Sequence, residues 1–459
     1  NNFVVLRQYR IRTITVISFR LEFNNSINEL PNIFNTISLI NINMNEAGVS
    51  RTVLFRDLIK EIPSTSYATH NLYMYPAKFI PHVVRYAIEK YTKPGDWVFD
   101  PFAGYGTVAI EATLTGRNAV VWDLNPISRV LTYASIYRGE ISLEDFKIDW
   151  DYAKPFRPLW ENITYWHPKE FLDALSRAWG YWHREVKSDK AFLVAIPLLK
   201  VSRYFSYADE EIAKTYRSKY AEQKVKELLS TDWKRKMKEM YWDYAKRVTE
   251  KVSEYKSLKP KDVEVVVKTS WREGSQFTVF DSLREKLDRD VELLVTSPPY
   301  LQAQEYIRSF KIELAWLGFT GDDMRKLADR EIPYNNPPPV EVNSPTYREY
   351  REKVKSLNHP QLLKIYDTYF KSLAYFLNNN APRARVLAIF VGPVKVRTLR
   401  VPIDEILKEH LEGMGFRHVE TLIDRIVSRR LFKTQVNPAS GLEDERTPTE
   451  HLLVMEMRK

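Results

Sequence analysis

The sequence contains no cysteine. Without cysteine there can be no disulfide bond, no catalytic thiolate and no zinc site built on cysteine sulfur. Histidine is scarce as well. The eight histidines are scattered along the chain, and no HExxH or carboxylate–histidine cluster occurs among them. We therefore expect no metal site made from protein ligands.

Long apolar runs are also missing, since no stretch approaches the roughly 20 residues that would cross a bilayer. What is present is 44% hydrophobic and 28% charged residues in a chain of 459, enough for two or three globular domains. The formal net charge of +10 favours a polyanionic partner without establishing one. High charge without cysteine is also a feature of proteins from hot habitats, which gives a weak indication of a thermophile.

The first 43 residues differ from the rest in composition. They are rich in Asn and Ile, and the first methionine is Met44, where the ordinary charge-rich composition begins. We expect Met44 to be the natural start and residues 1–43 to be an atypical segment outside the native protein. Arginines interrupt any apolar core of a signal peptide in this segment.

The chain from residue 80 onward predicts the start of a parallel α/β sheet. A helix over 80–91 ends at Lys-Pro-Gly, and strand WVFD (97–100), a glycine turn, a helix and strand NAVVWD (118–123) follow. Helical spacing then dominates the interval from about 141 to 258. Further strands are predicted at 263–267, 292–295, 385–392, 418–424 and 451–457. The prediction is a seven-stranded, mostly parallel sheet with helices on both faces and a helical insertion.

The stretch DPFAGYGT (100–107) places a carboxylate at a strand end and Gly-x-Gly at a helix entrance. Such a turn lets backbone N–H groups approach a ligand, and Asp123, at the end of the next strand, suits ribose hydroxyls. The glycine spacing also fits a looser dinucleotide fingerprint, so an NAD-dependent oxidoreductase stays an alternative. Asp100 would repel a pyrophosphate but attract the ammonium and sulfonium of S-adenosylmethionine, which favours that cofactor.

The stretch TSPPY (296–300) ends a short apolar run with a rigid corner, because consecutive prolines fix the backbone. A side-chain oxygen of Ser297 and the carbonyl of Pro298 can accept both N–H bonds of an exocyclic nucleobase amine. That arrangement frees the nitrogen lone pair, and the prolines keep the acceptors preorganised. Tyr300 can stack on a base taken out of its helix.

Together these motifs resemble the amino-methyltransferases of DNA, specifically the cytosine-N4 type whose catalytic motif reads Ser-Pro-Pro-Tyr. YPAKF (75–79) resembles the motif that contacts the cofactor's carboxylate and adenosine. VFDPFAGYGT resembles motif I, VVWDLNP (120–126) resembles motif II, and TVFDSL (278–283) resembles motif III. The stretch TSPPYLQAQEYIRSFKIELAWLG (296–318) resembles motif IV and its following helix. Here motif I precedes motif IV, and the long insertion lies between motifs II and III. The resemblance implies a Rossmann-like methyltransferase sheet.

The resemblance also assigns site residues. Asp100 would face the methionine ammonium, Asp123 the ribose and Asp281 the adenine amino group. The catalytic residues would be Ser297, Pro298, Pro299 and Tyr300. The cofactor-binding residues would be Tyr75, Pro76, Ala77, Lys78, Phe79, Asp100, Pro101, Phe102, Ala103, Gly104, Gly106, Thr107, Asp123, Asn125, Asp281, Ser282 and Thr296.

The implied function is S-adenosylmethionine-dependent methylation of cytosine N4 in duplex DNA with base flipping. Adenine N6, an RNA amine, and a nucleic-acid-binding protein without catalysis remain alternatives. The resemblance also implies a cytoplasmic, nucleoid-associated protein and leaves open a restriction endonuclease partner.

Two segments are candidates for target recognition. The insertion comes first because it mixes basic and aromatic residues, and the Pro/Asn-rich loop over 332–345 comes second because it follows motif IV. The predicted organisation is the atypical segment 1–43, a first methyltransferase part 44–140, the insertion 141–260 and a second methyltransferase part 261–459. Candidate nucleic-acid contacts are Arg203, Arg217, Lys219, Tyr306, Arg308 and Lys311.

Overall fold

A computed structural model describes residues 7–11, 14–18, 48–210, 212, 214–301, 305–425 and 449–458. The chain forms two compact units, Asn1–Ala47 and Gly48–Lys459. In the first unit, strand β1 (Arg7–Ile11) pairs antiparallel with β2 (Ile14–Ser18). The remainder of the predicted atypical segment lies outside the described residues, as does Met44, the predicted natural start.

The second unit contains an eight-stranded mixed sheet. Its strands are β3 (Val49–Val53), β4 (Trp97–Asp100), β5 (Asn118–Asp123), β6 (Val265–Thr269), β9 (Val291–Thr296), β10 (Ala384–Val391), β13 (Phe416–Arg425) and β14 (Thr449–Met457). The remaining strands of this unit form two short antiparallel hairpins outside the sheet. Strand β7 (Trp271–Glu273) pairs with β8 (Gln276–Thr278), and β11 (Val394–Val396) pairs with β12 (Leu399–Val401).

The strand order is β3-β13-β14-β10-β9-β4-β5-β6. Strand β14 runs antiparallel to β10 and β13, and the other adjacent pairs are parallel. All seven predicted strands are present, so the predicted Rossmann-like, mostly parallel sheet is confirmed. The sequence prediction missed β3, which adds an eighth strand beside β13.

The central strands are apolar on both faces because helices cover both sides of the sheet. In β4, Val98 packs into one core and Phe99 into the other, as side-chain alternation requires. Helices α2 (Pro81–Tyr91) and α3 (Thr107–Thr115) line the core on the Val98 side. Helices α14 (Pro360–Asn380) and α15 (Ile403–Gly413) line the core on the Phe99 side.

The predicted insertion is helical, as expected. Its helices are α5 (Ile163–Trp166), α6 (Lys169–Glu185), α7 (Ala191–Tyr204), α8 (Lys219–Leu229) and α9 (Trp233–Ser257). They share a third core with α4 (Pro126–Ser135), through residues such as Val130 and Leu131. Because Gly48–Lys459 is one compact unit, the boundaries proposed at 140 and 260 stay predictions.

The remaining helices of the described chain connect the sheet strands. They are α1 (Phe55–Leu58), α10 (Tyr306–Ser309), α11 (Lys311–Trp316), α12 (Gly321–Ala328) and α13 (Pro345–Lys355). The first of these helices follows β3, and the other four follow β9. No helix in the described ranges is long and apolar enough to cross a membrane.

Candidate active site

Strand β4 ends at the point where the strand order of the sheet reverses. Strands β5 and β6 extend the sheet on one side of β4, whereas β9 and β10 extend it on the other. Ligands of doubly wound sheets bind beyond the carboxyl ends of the strands at such a switch point. The ends of β4 and β9 carry Asp100 and Thr296, the first residues of the two predicted motifs.

The glycine turn after β4 has a geometry that larger residues would disturb. Gly104 has φ +53° and Gly106, at the entrance of α3, has φ +91°. A Cβ at Gly106 would lie 2.4 Å from Thr132 Oγ1. The amide of Gly104 donates to Asp123 Oδ2 at 2.7 Å, and the amide of Asn125 donates to Asp123 Oδ1 at 2.7 Å. Asp123 therefore fixes the turn and the entrance of α4 together.

A hydrogen bond joins the two motifs directly. Thr296 Oγ1 donates to Asp100 Oδ1 at 2.6 Å, and the amide of Phe102 donates to the same oxygen at 3.1 Å. Burial raises the pKa of Asp100 to about 7, although these two donors oppose the shift. The contact holds Thr296, which directly precedes the Ser-Pro-Pro-Tyr corner, against the start of the glycine turn, although nearly two hundred residues separate Thr296 from Asp100 in sequence.

A pocket of about 800 Å³ opens beside these strand ends. The predicted residues that line it are Tyr75, Ala77, Lys78, Phe79, Phe102, Ala103, Gly104, Asp123, Asn125, Asp281, Ser282, Ser297 and Pro299. The structure thus brings residues from all four predicted cofactor motifs to one cavity with two residues of the catalytic corner.

The other predicted cofactor residues stand outside the lining of this cavity. They are Pro76, Asp100, Pro101, Gly106, Thr107 and Thr296. Several of them support the wall instead. Thr107 is buried and its hydroxyl donates to the carbonyl of Phe79 at 3.3 Å, which ties α3 to the segment before α2.

An aromatic stack forms one wall of the pocket. The ring of Tyr75 lies 5.9 Å from that of Tyr306 and 5.3 Å from that of Phe310, both in stacked orientation. Tyr306, which was predicted to contact nucleic acid, lines this same pocket. Nearby, Lys78 donates to the carbonyl of Thr65 at 3.2 Å, and burial lowers the pKa of Lys78 to about 8.

Sequence reasoning missed Arg330, Glu331 and Ile332, which also line the pocket. Glu331 is buried and accepts a hydrogen bond from the amide of Ile307 at 2.9 Å, so it holds the start of α10. Burial raises the pKa of Glu331 to about 8, and the nearby Asp123 contributes to that shift. The sequence signal was weak, because Arg330 and Glu331 precede the Pro/Asn-rich loop, Ile332 begins it, and the three have no motif of their own.

The pocket's polar atoms fit S-adenosylmethionine. Among the described residues, Asn125 Nδ2 and Ser282 Oγ are buried without a hydrogen-bond partner, so each has bonding capacity left for a ligand. Burial raises the pKa of Asp123 to about 6 and also raises that of Asp281. A cationic ligand with hydroxyls and an amino group would satisfy these carboxyl groups.

The catalytic corner follows β9 and is held at its far end as well. Ser297 and Pro299 face the pocket, and Pro298 is buried. The hydroxyl of Tyr300 donates to Glu450 Oε1 at 2.6 Å. Glu450 stands on β14, is only 5% exposed, and was not anticipated from the sequence. The tyrosine hydroxyl is therefore held by a strand that lies two places along the sheet from β9.

The chain is similar in sequence to known methyltransferases. A family model described as DNA methylase matches residues 28–129. The Type II methyltransferase M.BsoBI of Geobacillus stearothermophilus is 22% identical over 60% of this chain and 58% of its own length. The Type II methyltransferase M.MvaI of Kocuria varians is 21% identical over 80% of this chain and 86% of its own length.

These matches support a DNA amino-methyltransferase. They do not distinguish cytosine N4 from adenine N6 as the target. The chain spans 58% of the length of the Geobacillus relative. A solved structure, the rRNA methyltransferase aviRa from Streptomyces viridochromogenes, aligns with 88% of this chain and 96% of its own at 11% identity. Its TM-score of 0.30 is too low to support a conclusion about this chain.

The candidate nucleic-acid contacts lie in different environments. Arg203 is only 4% exposed and pairs with Glu313 at 3.0 Å. It also donates to the carbonyl of Ser309 at 3.0 Å. The prediction that Arg203 binds phosphate is therefore corrected, because a buried guanidinium in an ion pair cannot reach a phosphate backbone.

The other predicted cations lie nearer to solvent. Arg217 packs over the ring of Tyr207 at 3.9 Å and pairs with Glu222 at 2.8 Å, whereas Lys219 is exposed at the start of α8. Arg308 is exposed and pairs with Glu305 at 2.9 Å. Lys311 is half-buried at the start of α11.

Proposed function

We propose that this protein transfers a methyl group from S-adenosylmethionine to the exocyclic N4 amine of cytosine in duplex DNA. The observation that carries the proposal is the Thr296–Asp100 hydrogen bond, which sets Ser297 in the wall of the pocket lined by Asp123 and Asp281. The serine in the first position of the corner supports cytosine over adenine, through the resemblance to the Ser-Pro-Pro-Tyr enzymes.

In this proposal the residues around the pocket bind different parts of the cofactor. S-adenosylmethionine, when bound, supplies an activated methyl group on a sulfonium. Asp100 would act near the methionine ammonium, Asp123 would accept from ribose hydroxyls, and Asp281 with Ser282 would hold the adenine edge. The remaining predicted cofactor residues, from Tyr75 to Phe79 and from Pro101 to Thr107, would shape the binding surface.

The catalytic corner would prepare the substrate amine. Ser297 Oγ and the carbonyl of Pro298 would each accept one N–H bond of the cytosine amine, which leaves the nitrogen lone pair directed at the methyl group. Pro298 and Pro299 prevent the acceptors from relaxing, so little reorganisation accompanies the reaction. A strong general base is unnecessary because the amine proton becomes acidic once the nitrogen is methylated.

The direct test identifies the methylated nucleoside. The protein is incubated with labelled S-adenosylmethionine and genomic DNA or total RNA, and the nucleic acid is digested to nucleosides and separated. Labelled N4-methylcytosine from DNA is the expected result. Labelled N6-methyladenine, or a labelled nucleoside from RNA alone, would replace the proposed target. Absence of both label and cofactor binding in calorimetry would instead favour a binding protein without catalysis.

Cofactor affinity should rise from about pH 5.5 to about pH 8. Asp123, Asp100 and Glu331 have pKa values raised by burial to about 6, 7 and 8, and their ionised forms favour a cationic ligand. Above about pH 4, these three groups of the free protein then hold more protons in the folded chain than in the unfolded chain. Their contribution to the free energy of unfolding therefore falls as pH rises through these values, and a bound cation opposes this trend.

The measurement is the dissociation constant by calorimetry and the thermal shift, each at several pH values. Adenosine is the matched probe because it lacks the ammonium and the sulfonium, so its affinity should depend less on pH. The variant Glu331→Gln should remove the upper part of the rise. An S-adenosylmethionine affinity that is flat between about pH 5.5 and pH 8 would contradict the assignment.

The Tyr300–Glu450 contact predicts that a hydroxyl matters as well as a ring. Tyr300→Phe keeps the stacking surface but releases the anchor, so we expect about a fivefold loss in kcat/KM for DNA, whereas Tyr300→Ala should lose more than tenfold. Glu450→Gln combined with Tyr300→Phe should cost no more than Tyr300→Phe alone. Fluorescence of 2-aminopurine at the target position reports base capture. Additive losses would show that the two residues act separately.

A further inference from the structure

A second groove of about 800 Å³ lies beside the catalytic corner. We call it the flanking groove and define it by Lys214, Leu301, Pro333, Tyr334, Ile365 and Val396. Leu301 directly follows Tyr300 in the chain, so the groove continues the surface at which the target base would arrive. Its walls come from four separate regions of the chain: the insertion, the catalytic corner, the Pro/Asn-rich loop and the segment from α14 to β11.

The insertion reaches this groove through a loop that is firmly attached to the helix after the corner. Thr215 Oγ1 donates to the carbonyl of Ser309 at 3.1 Å, and Arg203 donates to the same carbonyl at 3.0 Å. Lys214 pairs with Glu305 at 3.3 Å. The buried Arg203, which the sequence suggested as a phosphate contact, thus serves to hold the loop next to the active site.

The opposite wall presents an exposed aromatic side chain. Tyr334 is 46% exposed, although it stands in a loop whose neighbours Ile332 and Asn335 are buried. The remaining walls are apolar, and the ammonium group of Lys214 lies at the rim with its side chain 45% exposed. An exposed aromatic ring beside a cation is the combination that binds unpaired nucleotides, through stacking on the base and contact with the phosphate.

We propose that the flanking groove holds the nucleotide next to the target base, which leaves the duplex together with the target, with its base on Tyr334 and its phosphate near Lys214. The inference rests on the proposed function, since it assigns a place to the same DNA substrate. It follows that the two candidate recognition segments act together, because the insertion supplies Lys214 and the Pro/Asn-rich loop supplies Tyr334. Both flank one groove, so neither segment alone would select the substrate.

The test compares variants of Tyr334 in the full-length protein. Tyr334→Ala should lower kcat/KM for DNA about tenfold, whereas Tyr334→Phe should keep most of it because the stacking surface remains. Tyr152→Ala is the matched control, since Tyr152 is 90% exposed in the insertion but is not part of the groove. Cofactor affinity and thermal midpoint are measured for each variant, so that a folding defect is recognised.

A second measurement locates the effect in the nucleotide. Once the methylated position is mapped, an abasic analogue is placed next to the target base. On the abasic DNA, the wild type should lose about as much activity as Tyr334→Ala loses on intact DNA. Tyr334→Ala should be only slightly less active on the abasic DNA than on intact DNA, because the contact is already absent. Losses that multiply, or a Tyr334→Ala variant as active as Tyr152→Ala, would overturn the proposal. Absence of DNA methylation by the wild type would instead contradict the proposed function.

The predicted phosphate contact of Lys214 is tested by the salt dependence of DNA affinity. Lys214→Gln should reduce the slope of log affinity against log salt by about one, as expected when one phosphate contact is lost. Lys93→Gln, at an exposed position in the turn before β4 and outside the groove, is the control. An unchanged slope in Lys214→Gln would place the phosphate elsewhere and contradict this part of the proposal.

Discussion

Ser297→Ala is expected to lower turnover about 100-fold while the dissociation constant of S-adenosylmethionine changes by less than about twofold. The hydroxyl of Ser297 is needed only when an amine is brought against the pocket wall, so its loss affects the reacting state. The rest of the corner should keep its position, because Thr296 remains bonded to Asp100 and Tyr300 to Glu450. Turnover is measured with saturating DNA, and cofactor affinity by calorimetry.

Ser282→Ala provides the matched control for this prediction. Ser282 lines the same pocket, and its hydroxyl is buried without a hydrogen-bond partner among the described residues. If Ser282 contacts the cofactor, its removal should weaken cofactor affinity more than it lowers turnover. The two serine variants would then have opposite profiles. Equal losses of turnover and affinity in Ser297→Ala would contradict its role as an acceptor for the amine.

Local sequence patterns predicted the parts of the site that depend on short-range geometry. The turn after β4 needs glycine at 104 and 106 because both adopt positive φ, and Asp123 ends the neighbouring strand. These constraints act within one βαβ unit, so they leave a readable motif. The Ser-Pro-Pro-Tyr corner is equally local, since two prolines after an apolar strand define a rigid turn. Predicting the pocket therefore required only that β4 and β9 be neighbours.

Long-range contacts could not be predicted in this way. Glu331 holds the start of α10, and Glu450 holds Tyr300 from 150 residues away. Neither glutamate differs in its local sequence from an exposed one. The error on Arg203 has the same origin, because a buried arginine is tolerated only where a partner such as Glu313 neutralises it. Which charges are paired in the interior depends on the tertiary structure and not on composition.

Asp123→Ala should have the second large effect, a loss of about 100-fold in cofactor affinity. Both carboxylate oxygens of Asp123 accept backbone amides, from Gly104 and Asn125, and each keeps a lone pair for a ribose hydroxyl. Its removal would cost hydrogen bonds to a charged group and release the glycine turn. About 3 kcal/mol is a reasonable sum for such losses, and 1.4 kcal/mol corresponds to tenfold.

Asp281→Ala separates the loss of a hydrogen bond to the cofactor from the release of the glycine turn. Asp281 lines the same pocket, its Oδ1 accepts the amide of Leu283 at 3.1 Å and its Oδ2 pairs with Arg284 at 3.3 Å, so its loss should leave the glycine turn intact. We expect a weakening of about tenfold, the value of one hydrogen bond to a charged group. Adenosine should bind more weakly to both variants, because it carries the ribose and the adenine. If Asp123→Ala binds S-adenosylmethionine as tightly as the wild type, the cofactor does not occupy this strand end, and the pocket belongs to another ligand.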